Sequence, residues 1–131
     1  MGIAEIAAFM VKHRGDMPLT DGLDSLVRYI GHAVEGGTIR VCVTSGGIEG
    51  VMVWTKTSSE DPDHWDDYDP DGKRVVIFHL VTRTKKATGR MAQFLLDSYP
   101  EEQSFYAERR GKRVTYSRRH LKRIARYGKK S

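Results

Sequence analysis

The sequence predicts an α/β (α+β) domain built on a mixed, mainly antiparallel sheet with flanking helices, and three observations carry that prediction. Two pairs of alternating segments are joined by short glycine-containing links. Ile39, Val41 and Val43 answer Val51 and Val53 across Ser45-Gly46-Gly47, and Ser104 to Glu108 answers Lys112 to Tyr116 across Arg110-Gly111. A β-branched run, Arg74 to Arg83, feeds a basic loop, Thr84 to Gly89, and then a segment in which Met91, Phe94, Leu95 and Ser98 recur at helical spacing. Amphipathic, cappable segments stand at both ends of the chain. At 131 residues there is room for one domain, spanning 1–131, with a real core.

Taken in order, Ile3 to His13 reads as a short helix with Ile3, Ile6, Ala7 and Met10 on one side, ended by Gly15, Asp16 and Pro18. Thr20 or Asp21 caps a second helix whose stripe is Leu23, Leu26, Val27, Ile30 and Val34, and Gly36-Gly37 ends it. Strands over Thr38 to Ser45 and Gly50 to Thr57 form the first hairpin. An acidic loop, Ser58 to Gly72, precedes the third strand, and Pro100 stops the helix that follows it. After the second hairpin, Ser117 caps a basic helix, Arg118 to Tyr127, with Leu121, Ile124 and Ala125 facing inward. The order is α-α-β-β-β-α-β-β-α.

Hydrophobic residues make up 39% and charged residues 30%, the balance of a soluble globular chain. No apolar run approaches the ~20 residues that span a bilayer. Met1-Gly-Ile-Ala-Glu lacks the basic start and apolar core of a secretory signal, so no membrane span and a cytoplasmic location are expected. The single cysteine, Cys42, excludes an internal disulfide and any multi-cysteine zinc site, and reads as a small buried hydrophobe. The net charge of +5 conceals an asymmetry. Glu108 to Ser131 holds eleven Lys and Arg against one acid, whereas the preceding residues hold eleven against sixteen. Such a basic end finds polyanions.

The basic loop is the first candidate site. A strand that delivers its chain into a helix leaves unpaired amides there, and with two lysines they form an anion site. Thr84, Lys85, Lys86, Ala87, Thr88, Gly89 and Arg90 are therefore read as phosphate-binding, through the amides of residues 87 to 90 helped by Lys86 and Arg90. The alternative is an ordinary turn capped by Thr88.

A hairpin running into a third strand, then a basic loop and helix, resembles the core of the GNAT superfamily of N-acyltransferases over roughly Thr38 to Tyr116. In that family the loop carries Gln/Arg-x-x-Gly-x-Gly/Ala and wraps the pyrophosphate of coenzyme A. Here Lys86, Gly89 and Met91 take those places, or Thr84, Ala87 and Gly89 in a register two residues earlier. The chain is also similar to two divergent groups, the toxin-activating lysine acyltransferases, which use acyl carrier protein as donor, and GNAT-like proteins of phage particles. The resemblance implies an acyl-coenzyme A or acyl carrier protein thioester as donor, an amine as acceptor, possible protein acceptors, and a location in the host cytoplasm or virion if the source is a phage.

For acyl transfer a base and a proton donor are needed. His79, on a strand face with Val75, Ile77 and Val81, is the candidate base, and otherwise a core residue. Glu49 and Glu108 are carboxylate alternatives. Tyr106 and Tyr116, facing each other across the last hairpin, offer a phenol, and Tyr116 is the candidate donor. Asp67-Tyr-Asp69-Pro-Asp71-Gly72 opens like a calcium loop, but the closing position holds Phe78, so no metal site is expected. The tail supplies a second surface. Arg110 and Arg113 on a turn, with Arg118, Arg119, Lys122, Arg123 and Arg126 along a helix, make a positive stripe suited to a phosphate backbone. Two functions follow as expectations: acyl transfer from a thioester to an amine, or a non-catalytic nucleic-acid-associated protein on the same scaffold.

Overall fold

The computed structural model describes residues 2–13, 23–58, 69, 71–109 and 112–128, with the backbone alone at 23, 108, 109 and 112. Among these the elements follow the expected order. They are α1 (Ile3–His13), α2 (Leu23–Gly36), β1 (Ile39–Thr44), β2 (Gly47–Thr57), β3 (Arg74–Thr82), α3 (Lys85–Ser98), β4 (Ser104–Arg109), β5 (Lys112–Ser117), α4 (Arg118–Ala125) and a 3₁₀ turn (Arg126–Gly128). The expected breaker and cap at residues 15–21, most of the acidic loop, Arg110-Gly111 and residues 129–131 lie outside the described residues. No described helix is long and apolar enough to cross a membrane.

Local chemistry sets the element ends. Gly37, at φ 69°, closes α2 with its amide on Val34 O and the Thr38 amide on Ala33 O, a paired C-terminal closure that requires a left-handed residue. Ser117 caps α4 by accepting from the His120 amide at 3.1 Å. Gly72 ends the acidic loop against the Thr57 backbone, 2.5 Å from where a Cβ would lie, and only glycine fits there.

The five strands lie in sequence order, β1-β2-β3-β4-β5. All neighbours are antiparallel except β3 and β4, which are parallel and joined through α3. One face packs under α3 and α4 through Met52, Trp54, Val75, Ile77, Phe105, Leu95, Leu96 and Leu121. The other face packs under α1 and α2 through Val51, Val53, Val81, Ile6, Met10 and Ile30. The result is a helix–sheet–helix sandwich.

Two irregularities position the site. Val53 pairs with His79 while Trp54 pairs with Ile77, so Phe78 is an extra residue in β3. Such a bulge turns every later side chain to the other face. The expectation that Val75, Ile77, His79 and Val81 share a face therefore fails. Val75 and Ile77 face α3, whereas Val81 belongs to the α1/α2 side. The second irregularity is the parallel pairing, which consists of Val76 with Tyr106 and Ile77 with Ala107. Beyond the bulge, β3 runs on through Thr82 with no β4 partner among the described residues, and the two strands fork.

Candidate functional site

The fork encloses a cavity of about 420 Å³. Its floor is apolar, from Met52, Ile77, Ala107, Met91, Ala92 and Leu95, and Phe78 and Leu80 of β3 form a wall. Because Leu80 pairs with Met52, it shares the cavity face. Polar groups enter at the rim: Thr82 and Thr88 at the α3 end, Tyr116 and His120 from the β5–α4 junction, and His13 from α1. A concave site that joins an apolar lining to a few convergent polar groups is the usual form of a small-molecule pocket.

Tyr116 and His120 stand together, with ring centroids 5.5 Å apart and planes at 71°. Three residues lie between them, and the Ser117 cap sets both rings by turning the chain from strand to helix there. Tyr106 does not face Tyr116, contrary to expectation. Tyr116 pairs with Phe105, and Tyr106 pairs with Thr115 on the opposite face, where the Arg74 guanidinium lies 5.7 Å from its ring. The register is one residue away from the one that would join the two phenols.

His79 does not line the cavity. Its partner Val53 faces α2, and the imidazole stands edge-on to Tyr29 at 5.3 Å. Burial pushes the Tyr29 phenol well above its usual range, which keeps it neutral beside the imidazole. His79→Ala should lower stability by roughly 1–3 kcal/mol in urea melts and leave ligand binding in the fork unchanged. A loss of binding without loss of stability would restore His79 to the site. Glu49 also lies elsewhere. It is the extra residue of a second bulge, opposite Cys42 and Val43, and its carboxylate accepts from Thr44 Oγ1 at 3.2 Å and sits 3.9 Å from Arg83 Nε. The Glu108 side chain is outside the described residues.

The start of α3 differs from the expected loop. The helix begins at Lys85, so Gly89 lies in its second turn. Thr84, not Thr88, is the cap and accepts from the Ala87 amide at 3.1 Å. The Thr88 amide bonds to Thr84 O, and the Thr88 hydroxyl is shared between Thr82 Oγ1 at 2.6 Å and Thr84 O at 3.2 Å. The amides of 87 and 88 are thus taken within the chain, and helix geometry leaves those of Lys85 and Lys86 without intrahelical acceptors. Gly89 is buried against the 3₁₀ turn, where a Cβ would collide with Gly128 N and come within 2.9 Å of Ile124 O. Its role is close packing, and Met91 at 1% exposure fills the position after it toward the cavity.

The basic stripe is likewise divided. Arg118 donates to Tyr99 O at 2.9 Å, Glu102 O at 3.1 Å and Leu96 O at 3.0 Å, binding carbonyls at the end of α3. It is a structural clasp rather than a member of the stripe. Arg119, Lys122, Arg123 and Arg126 are exposed along α4 and its extension, and Arg113 is exposed on β5. Arg110 is outside the described residues.

Of the calcium-like motif, the described part is a turn in which Asp69 accepts from the Asp71 amide at 2.9 Å. No group of three metal-ligating side chains occurs among the described residues. Sequence reasoning missed His120 and His13, which carry no motif; the one signal available was the Tyr116-x-x-x-His120 spacing across the Ser117 cap, which was not read as a pair. No protein-family model matches the chain, and no curated protein matches it.

Proposed function

We propose that the protein is a GNAT-like acyltransferase that takes an acyl thioester into the β3–β4 fork and transfers the acyl group to an amine. The observation that carries this reading is the fork itself: a cavity of about 420 Å³ at the strand bulge, apolar at its base and bearing a phenol and an imidazole at its rim. An acyl chain is apolar and narrow, and suits such a floor. The anionic end of the donor, a coenzyme A or the prosthetic group of an acyl carrier protein, would lie toward the start of α3 near Lys85 and Lys86.

Proton accounting assigns the two rim groups. The amine attacks the thioester carbonyl, the C–N bond forms and the C–S bond breaks. His120 takes the proton from the amine nitrogen, and Tyr116 Oη gives its proton to the leaving thiolate. The imidazolium then returns a proton to the phenolate, and the pair is ready for another turnover.

The test is calorimetric titration with acetyl-coenzyme A and with an acyl carrier protein thioester, followed by turnover assays on an amine panel. Ala107→Leu extends a side chain into the cavity and should weaken donor binding more than tenfold without unfolding the domain. Tyr116→Phe should bind donor normally and lose about two orders of magnitude in turnover. If neither donor binds, or Ala107→Leu binds it as well as the parent protein, the fork is not an acyl site.

A further inference from the structure

We infer that the outer face shared by α3 and α4 is a docking surface for the sugar–phosphate backbone of nucleic acid. It joins two basic segments that are separated in sequence by β4 and β5.

Packing makes the union. The α3 backbone at Gly89 and Arg90 lies directly against Gly128, and the Lys85 ammonium sits 5.7 Å from the Tyr127 ring centroid. This places Lys85, Lys86 and Arg90 beside the end of the helix that carries Arg119, Lys122, Arg123 and Arg126. All seven side chains are exposed, and none lines the fork cavity. Lys85 and Lys86 are shared with the anionic end of the proposed acyl donor, whereas Arg119, Lys122, Arg123 and Arg126 belong to this surface alone.

Of the two helical layers, one carries most of the positive charge. In α3, α4 and the 3₁₀ turn the one carboxylate is Asp97, at the far end of α3, where it accepts from Gln93 at 2.9 Å. On the opposite helical layer, α1 and α2 carry Glu5, Asp24 and Glu35 against Lys12 and Arg28. Among the described residues, one helical layer is thus strongly cationic and the other slightly anionic. Such a distribution orients the molecule on a polyanion as well as attracting it.

The chemistry of the face selects among polyanions. A protein partner docks on an apolar core within a polar rim, and a membrane takes inserted apolar side chains. Of the large hydrophobic residues exposed among the described residues, Val34, Val43, Leu80 and Tyr127, this face holds Tyr127 alone. A broad array of Lys and Arg with a single aromatic group, on helices whose one carboxylate is the distant Asp97, matches a phosphate backbone bound without base reading.

Anisotropy titrations with labelled duplexes of two unrelated sequences test the assignment. Four or five simultaneous contacts give a log–log salt slope of about −4, so a fourfold rise in salt should weaken binding by about 250-fold, equally for both sequences. Lys85→Gln with Lys86→Gln should flatten the slope by nearly two units (about 0.9 per lost contact), and Lys122→Gln with Arg126→Gln should do the same. Lys12→Gln with Arg28→Gln, on the opposite layer, should leave it unchanged. Thermal melts confirm that each variant is folded. A slope unaffected by the α3 pair, a flat salt dependence, or tighter binding to polyglutamate or to anionic vesicles than to DNA at equal salt overturns the proposal.

Discussion

Gly89→Ala should destabilise the protein by about 2 kcal/mol, although the same change at an open helical position is stabilising. Alanine is favoured over glycine in a helix interior by about 1 kcal/mol. Against that gain stands the approach of α3 to the 3₁₀ turn, where the new Cβ meets Gly128 N and Ile124 O. These are backbone atoms and cannot rotate away, so the overlap falls at the upper end of the ~1–3 kcal/mol typical of overpacking. The converse holds at Gly128, whose Cβ would sit 2.9 Å from Arg90 N. Gly31→Ala is the matched control. It too is helical, but its Cβ would meet only Ile3 Cδ1 at an ordinary 3.8 Å, so it should gain up to about 1 kcal/mol. Thermal melts should show Gly89→Ala lower by several degrees and Gly31→Ala unchanged or higher. A glycine kept only to let a phosphate approach would behave like Gly31, so stabilisation by Gly89→Ala would show that the helices do not meet here.

Arg118→Met should cost about 3 kcal/mol, whereas Arg119→Met, one residue on, should stay within about 0.5 kcal/mol of the parent. The two arginines look alike in sequence, but their guanidinium groups have different partners. That of Arg118 donates three hydrogen bonds to the carbonyls of Leu96, Tyr99 and Glu102 and places a positive charge at the C-terminus of α3. Hydrogen bonds from a charged donor contribute roughly 1.5–3 kcal/mol, and favourable helix-end charge adds about 0.3–1 kcal/mol. Methionine keeps the length and apolar stem but satisfies none of the carbonyls. Lysine, a single compact donor, should recover part of the loss, because it cannot fork between three acceptors. Urea titrations of the three variants give the comparison. Equal midpoints for Arg118→Met and Arg119→Met would mean that the clasp contributes nothing.

Much of the fold is legible in the residues because the signals are local. The alternation of Ile39 and Val41, the Ser117 cap and the Gly36-Gly37 stop each act within a few residues, and each appears in the structure where the pattern puts it. The candidate site was only partly legible. Tyr116 was found through its place on the last hairpin, and His120 was hidden in a run that reads as solvated charge. His79 was placed on the wrong side because strict period-2 counting continues past Phe78, whereas the ladder with β2 gains a residue there. A bulge depends on what the neighbouring strand demands and leaves no mark in the bulged strand alone.

The same division separates what the chain dictates by itself from what assembly decides. Composition, hydrophobic period and caps determine the class, the order of elements and the existence of a basic end, because each follows from backbone geometry and nearest-neighbour hydrogen bonding. Tertiary contact decides which identical residue types are structural and which are free to bind. It commits Arg118 to the carbonyls of α3, commits Gly89 to the backbone of Gly128, opens the fork between β3 and β4, and brings Lys85 beside Tyr127. Those outcomes rest on close approach between segments distant in sequence, where a single methyl group or a one-residue shift in register changes which atoms can touch.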